Sequence, residues 1–137
     1  PFARPEGIIT DGRSVYICCT SGGRLKKGQI WKIAPTLSKE FSIELWYEVQ
    51  DKASLNMPDN ITIAPWGDLI VCEDNSDINR LWGLTSKGKP YLIAQNSYSR
   101  SEFAGACFSP LDNTMYINIQ GNGQTLLIDG KWNEVIS

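Results

Sequence analysis

Phe2-Ala3-Arg4-Pro5-Glu6-Gly7-Ile8 is a stretch to which this chain twice returns. Met57-Pro58-Asp59-Asn60-Ile61 repeats the proline, the acid, a small or polar residue and the apolar run. Glu102-Phe103-Ala104-Gly105-Ala106 repeats it again, with the acid displaced toward the N-terminus. The residues downstream of each version recur too. Short strand-like runs at residues 8–10, 61–64 and 106–109 lead into turns at Asp11-Gly12, Pro65-Trp66-Gly67 and Pro110-Leu111-Asp112-Asn113. Second runs come at 15–19, 69–72 and 115–119, and third runs at 29–33, 80–84 and 125–128. A repeat of about 45–50 residues built from four short strands is the sequence form of a propeller blade. The repeat predicts an all-β chain of about three four-stranded antiparallel blades, near residues 4–50, 58–96 and 102–137. Together they make one partial β-propeller domain over residues 1–137, with no helix longer than about two turns.

Composition narrows the partners. With 42% hydrophobic and 20% charged residues the chain is ordinary and globular, which excludes a disordered segment. A net charge of -2 argues against nucleic acid, which calls for a basic face. No apolar run approaches the roughly 20 residues needed to cross a bilayer. The chain opens at Pro1-Phe2, without a starting methionine or a signal segment. Closed propellers use roughly 4–8 blades, so three imply a remainder supplied by the same gene product or by another chain. Two open sheet edges predict that the isolated chain folds poorly.

The cysteines and the absence of histidine bound the chemistry. Cys18, Cys19, Cys72 and Cys107 fall in predicted strands without zinc-type spacing and read as small buried hydrophobes. Without histidine, a metal here relies on oxygen ligands, which suits calcium or magnesium. The clearest strand is 41–49, where Phe41, Ile43, Leu45, Tyr47 and Val49 alternate with Ser42, Glu44, Trp46 and Glu48. Its period of two predicts one buried face. Ser21-Gly22-Gly23-Arg24-Leu25-Lys26-Lys27-Gly28 is glycine-rich and basic but lacks the Gly-Lys-Ser/Thr of a P-loop, so it reads as a solvated hairpin loop. Glu73, Asp74, Asn75, Ser76 and Asp77 are open to two readings, a cation site or a polar turn. Asn60-Ile61-Thr62 has the form of a glycan acceptor, but an inner strand is a poor place for one.

In a propeller the first strand of each blade lines the channel, and the second runs back beside it. The start of one and the end of the other therefore share a rim. This places Glu6 near Thr20 and Ser21, Asp59 and Asn60 near Glu73 and Asp74, and Glu102 near Asn118 and Gln120. Carboxylates gathered there repel one another unless a cation sits among them. Calcium, with 6–8 oxygen ligands, suits such a funnel. The alternative is a solvated mouth where the acids cap strands and bind water. Arg4 lies two residues before Glu6, so on an extended strand both leave the same face. A guanidinium beside such carboxylates can hold a phosphate oxygen pair. With no histidine and no obvious nucleophile, this combination suits phosphoryl transfer, where positioning and charge neutralisation dominate.

Several separated motifs, in order, carry a family resemblance: Phe2-Ala3-Arg4-Pro5-Glu6-Gly7, Cys19-Thr20-Ser21-Gly22-Gly23, Pro58-Asp59-Asn60-Ile61, Pro65-Trp66-Gly67-Asp68-Leu69, Cys72-Glu73-Asp74, and Glu102-Phe103-Ala104-Gly105-Ala106 with Asn118-Ile119-Gln120. Over essentially its whole length the chain resembles the C-terminal part of the PhoX-type alkaline phosphatases. The resemblance implies a six-bladed propeller whose channel holds an iron–calcium cofactor. It implies hydrolysis of phosphate monoesters in the periplasm or outside the cell. On the matching motifs, Arg4 takes the place of the family's phosphate-binding arginine and Glu6 that of a metal-ligating glutamate. Asp59, Asp74 and Glu102 match acidic positions at the cofactor rim. The family's N-terminal portion, with a cysteine that ligates iron, has no counterpart here, and Gly121 stands where many members have histidine. Iron is therefore expected only with that missing portion, and the isolated chain is expected to be inactive. The competing expectation is a non-catalytic, calcium-binding propeller fragment serving as a binding or structural module.

Overall fold

A computed structural model describes residues 2–51 and 53–132. Strands β1 (Pro5–Thr10), β2 (Val15–Cys19), β3 (Gln29–Pro35) and β4 (Phe41–Glu48) pair in chain order as one antiparallel sheet. Strands β5 (Pro58–Ile63), β6 (Leu69–Glu73), β7 (Arg80–Leu84) and β8 (Pro90–Gln95) repeat that pattern. A third sheet holds β9 (Phe103–Phe108), β10 (Met115–Ile119) and β11 (Gln124–Ile128), with β10 in the middle. The described residues contain no long helix; a 3₁₀ turn spans Gln120–Asn122, and Trp132 has helical backbone. The fourth strand expected in the last unit would draw on residues 133–137, which lie outside the described residues.

Tight turns separate the strands where the sequence supplies the chemistry for them. At the first, the Asp11 carboxylate accepts from the Arg13 and Ser14 amides at 2.8 and 2.6 Å, and Gly12 takes φ +87°. An L side chain is strained there, whereas glycine is not.

Two apolar layers hold the sheets together. Tyr16, Cys18 and Ile30 of the first sheet meet Ile61, Leu69, Val71, Trp82 and Leu84 of the second. The opposite face of the second sheet sends Ile70, Cys72 and Leu81 against Phe103, Ala106, Met115, Ile117 and Ile119 of the third. β6 serves both layers because successive side chains point to opposite faces. The second sheet is thus the middle one, and β1, β5 and β9 are neighbours in that order.

The structure corrects two expectations. Phe41, Ile43 and Leu45 do not share a buried face with Val49; they are 72%, 59% and 42% exposed. A bulge at Trp46 is the cause, since Ile30 pairs with Tyr47 but Trp31 pairs with Leu45. The extra residue reverses the phase of the strand. Trp46 and Tyr47 therefore pack toward the middle sheet, and the three earlier apolar residues face away from it. Cys18, Cys19 and Cys72 are buried as expected, but Cys107 is exposed. It pairs with Tyr116 on the face of the third sheet turned away from the middle one.

Candidate functional site

The three sheets repeat one device at one end. After β2, β6 and β10, the amides of Thr20, Asp74 and Gln120 donate to the carbonyls of Arg4, Met57 and Glu102, at 3.0, 2.9 and 3.1 Å. Arg4, Met57 and Glu102 are therefore equivalent positions, each just ahead of an inner strand. This explains the displaced acid of the third motif: Glu102 occupies the place of Arg4, not that of Glu6. Each inner strand then breaks register close to its start, between Pro5 and Ile8, between Pro58 and Ile61, and between Ala104 and Cys107. Such bulges re-aim side chains beside functional sites. Glu6 and Asp59 sit in the first two of them.

Arg4 and Met57 carry a further mark. Both precede proline and both have positive φ, 54° and 48°. A non-glycine residue there costs on the order of 1–3 kcal/mol. Arg4 donates through Nε to Glu6 Oε1 at 3.1 Å and through Nη2 to Asp74 Oδ2. Those pairs are substantially exposed and contribute about 0–1 kcal/mol each. They do not clearly offset the backbone strain, so stability is a weak account of the arrangement. Arg4 and Glu6 do meet as the sequence suggests, but through a turned backbone and a bulge instead of a plain extended strand.

The electrostatics tie all five expected residues to one place. Burial raises the Asp59 carboxyl, and the charges of Glu6 and Asp74 raise it further, against a lowering by Arg4 and a hydrogen bond from Thr20. Burial likewise raises Glu102, followed by the charges of Asp74 and Asp59, with Arg4 again opposing. The hydrogen bond to Asp74 leads the causes that raise Arg4. Arg4, Glu6, Asp59, Asp74 and Glu102 thus converge from all three sheets. Among the described residues, however, no three acidic or thiol side chains stand close enough to hold one metal ion. The Arg4 fork lies on two of the acids.

The donor set decides which cation these residues suit. Every acidic side chain of the cluster offers oxygen, as a hard cation such as calcium requires. None of these five residues is a cysteine, so the cluster itself offers iron no thiolate. Cys19 and Cys72 are fully buried, and burial raises both thiols, Cys72 to about 12. Both therefore remain protonated near neutral pH.

The stretch 73–77 resolves into parts. Asp74 belongs to the cluster, while Glu73 is fully buried. Asn75 and Asn79 brace a turn, with the Asn75 amide donating to Asn79 Oδ1 at 2.6 Å and Asn79 Nδ2 returning to the Asn75 carbonyl at 2.9 Å. Asp77 is exposed, 3.8 Å from Arg100. The glycine-rich loop is anchored as well as solvated, since Gly28 lies against the Pro58 ring. Two contacts escaped the sequence. Thr20 Oγ1 donates to Asp59 Oδ1 at 3.3 Å across two sheets, and Asn60 Oδ1 accepts the Gly105 amide at 3.0 Å. A cavity of about 500 Å3 at the opposite end of the strands is lined by Pro65, Trp66, Asp112, Asn113 and Trp132 and does not include the cluster.

Among known families, the one described as Alkaline phosphatase PhoX matches residues 1–123. No curated protein matches the chain.

Proposed function

Because this chain belongs to the PhoX alkaline phosphatase family, we propose that its five-residue cluster is part of the active centre of an enzyme hydrolysing phosphate monoesters. The observation that carries this reading is Arg4, a strained residue whose guanidinium is already forked across Glu6 and Asp74, with Asp59 and Glu102 beside it. In this reading the three sheets are consecutive blades of a six-bladed propeller, and the remaining blades lie in the rest of the complete protein. The complete protein works in the periplasm or outside the cell.

The residues have separable tasks. Arg4 presents several N–H donors in a rigid plane and holds two nonbridging phosphate oxygens, which a point charge cannot match. Engaging substrate draws the guanidinium partly away from Glu6 and Asp74 and frees their oxygens. Glu6, Asp59, Asp74 and Glu102 would hold calcium. When bound, calcium neutralises charge on the phosphoryl group as a Lewis acid. Thr20 keeps Asp59 oriented. Iron is assigned to none of these residues.

The test uses the complete protein and a chromogenic phosphate monoester. Activity should disappear with a chelator and return with calcium. Arg4→Ala should lower turnover about 10²–10³-fold, the range for losing one strong charge-stabilising donor. Arg4→Lys should restore only part of it. Full activity in Arg4→Ala removes Arg4 from the mechanism. A calcium-binding protein without phosphatase activity would instead be the non-catalytic module.

A further inference from the structure

Glu73 is a carboxylate with no exposed surface, one residue before Asp74. Its Oε1 accepts three N–H groups: the Asn56 amide at 3.0 Å, Asn56 Nδ2 at 3.3 Å and Trp82 Nε1 at 2.9 Å. Its Oε2 has no partner at strict hydrogen-bond geometry among the described residues and faces Arg80 Nη1 at 3.7 Å, while the Asn75 side chain also acts on the carboxyl. Taking a carboxylate out of water costs several kcal/mol, and an apolar side chain of similar volume is often as stable or more so. The other two sheets use that apolar solution. Glu73 pairs with Pro58, and the matching partners of Pro5 and Phe103 are Cys19 and Ile119, both buried. Stability alone therefore does not explain an acid at this one position.

Its contacts do. Asn56 heads the segment that turns at Met57 into β5. The Met57 carbonyl accepts the Asp74 amide at 2.9 Å, and the Met57 amide donates to the Lys27 carbonyl at 2.5 Å. One side chain thus binds the approach to β5, which carries Asp59, to the end of β6, which delivers Asp74. Trp82 extends the tie to β7. Of the three sheets, the middle one alone supplies the cluster with an acid from both its first strand and the end of its second.

We propose that Glu73 is a positioning residue that fixes the separation of Asp59 and Asp74 by locking Asn56 and Trp82 onto the end of β6. As far as calcium and phosphate are concerned, this rests on the function proposed above. Glu73 touches neither substrate nor ion. Glu73→Ala releases the segment before β5, and the two acids lose their fixed spacing. Glu73→Gln keeps a carbonyl oxygen for Asn56 and Trp82 and so keeps most of the spacing.

The experiment compares parent, Glu73→Ala and Glu73→Gln in the complete protein. It reads calcium-dependent hydrolysis, calcium binding by calorimetry, and hydrogen exchange at the Asp59 and Asp74 amides. Glu73→Ala should raise the calcium required about 10–100-fold, as loss of an outer positioning partner does at metal sites. Exchange should quicken at those two amides and stay slow at Ile30 in the first sheet. Glu73→Gln should recover most of both effects. A Glu73→Ala protein that melts earlier but keeps the parental calcium titration and site exchange overturns the proposal. If the parent hydrolyses no phosphate monoester, the functional reading fails by itself, and calorimetry and exchange still decide the role of Glu73. Should Glu73→Ala fail to fold, Asn56→Ala and Trp82→Phe each strip one side of the anchor. Unchanged exchange at Asp59 and Asp74 in both would overturn it as well.

Discussion

The first and middle sheets have the same strand count, the same order and the same antiparallel pairing, yet they bury very different amounts of themselves. Every residue of β6 is buried, including Glu73. In β4 the first five residues are exposed, three of them large and apolar. Sequence pattern would rank them the other way, since β4 alternates cleanly and β6 does not. Alternation reports a sheet with one covered face, and an unbroken apolar run reports a sheet covered on both. β6 lies between two sheets, whereas β4 has a neighbouring sheet on one side only. What differs is position in the stack more than strand quality.

The contrast can be tested by substitution. Leu81 has no exposed surface, so Leu81→Ala should cost about 2–5 kcal/mol in denaturant unfolding. Ile43 on the outer face is 59% exposed, and Ile43→Ala would stay within about 0.5 kcal/mol if that face stood open to water. In the complete protein, where a further sheet is proposed to cover that face, its cost should rise to about 1 kcal/mol or more. A near-neutral Ile43→Ala there would remove the support for a closed ring.

A smaller effect separates two matched cross-strand pairs. Lys32 stands opposite Glu44 in the first sheet, and Gly83 opposite Tyr91 in the middle one. A Cβ on Gly83 would overlap the Tyr91 ring. Gly83→Ala should therefore cost about 1–3 kcal/mol by overpacking, measured by urea midpoint. Lys32→Ala, which loses a cation–π contact with Tyr16 and the pairing with Glu44, should cost about 0.5–1 kcal/mol. Equal costs would mean that the Tyr91 ring is free to swing aside.

The same tyrosine gives the smallest and most alkaline signal. Burial pushes the Tyr91 hydroxyl up to about 12, with the Asp68 carboxylate adding to the rise and Trp66 opposing it. The folded state thus keeps a proton that the unfolded chain releases near pH 10. This contribution is complete below about pH 10 and declines as pH rises toward about 12. Tyr91→Phe should flatten that part of the stability profile, and an unchanged slope would assign it to other groups.

Much of this is legible in the sequence, for local reasons. The recurring proline-acid-apolar motif locates all three inner strands, because proline, bulge and turn are encoded within a few neighbouring residues. It also brings Arg4, Glu6, Asp59, Asp74 and Glu102 to one end. The hidden features depend on other sheets. The bulge at Trp46 exists because Tyr47 and Trp46 both find partners across the layer. The burial of Glu73 depends on Asn56 and Trp82, and Thr20 reaches Asp59 only once two sheets are stacked. Even Glu102, which the motif brings to the right end, belongs in a different slot from the one its spacing suggests, since its equivalence to Arg4 is written in backbone hydrogen bonds.

Gly7 sets a spacing of its own. A Cβ there would collide with the Asp59 carbonyl, so main chain rests directly on main chain where the first two inner strands meet. The gauge between Glu6 and Asp59 is therefore cut into the backbone, and rotamer motion cannot alter it. Side chains at this end can be exchanged to retune chemistry while the spacing beneath them holds. Enlarging Gly7 would shift the whole gauge at once, moving the acids of one sheet relative to those of the next in a single step.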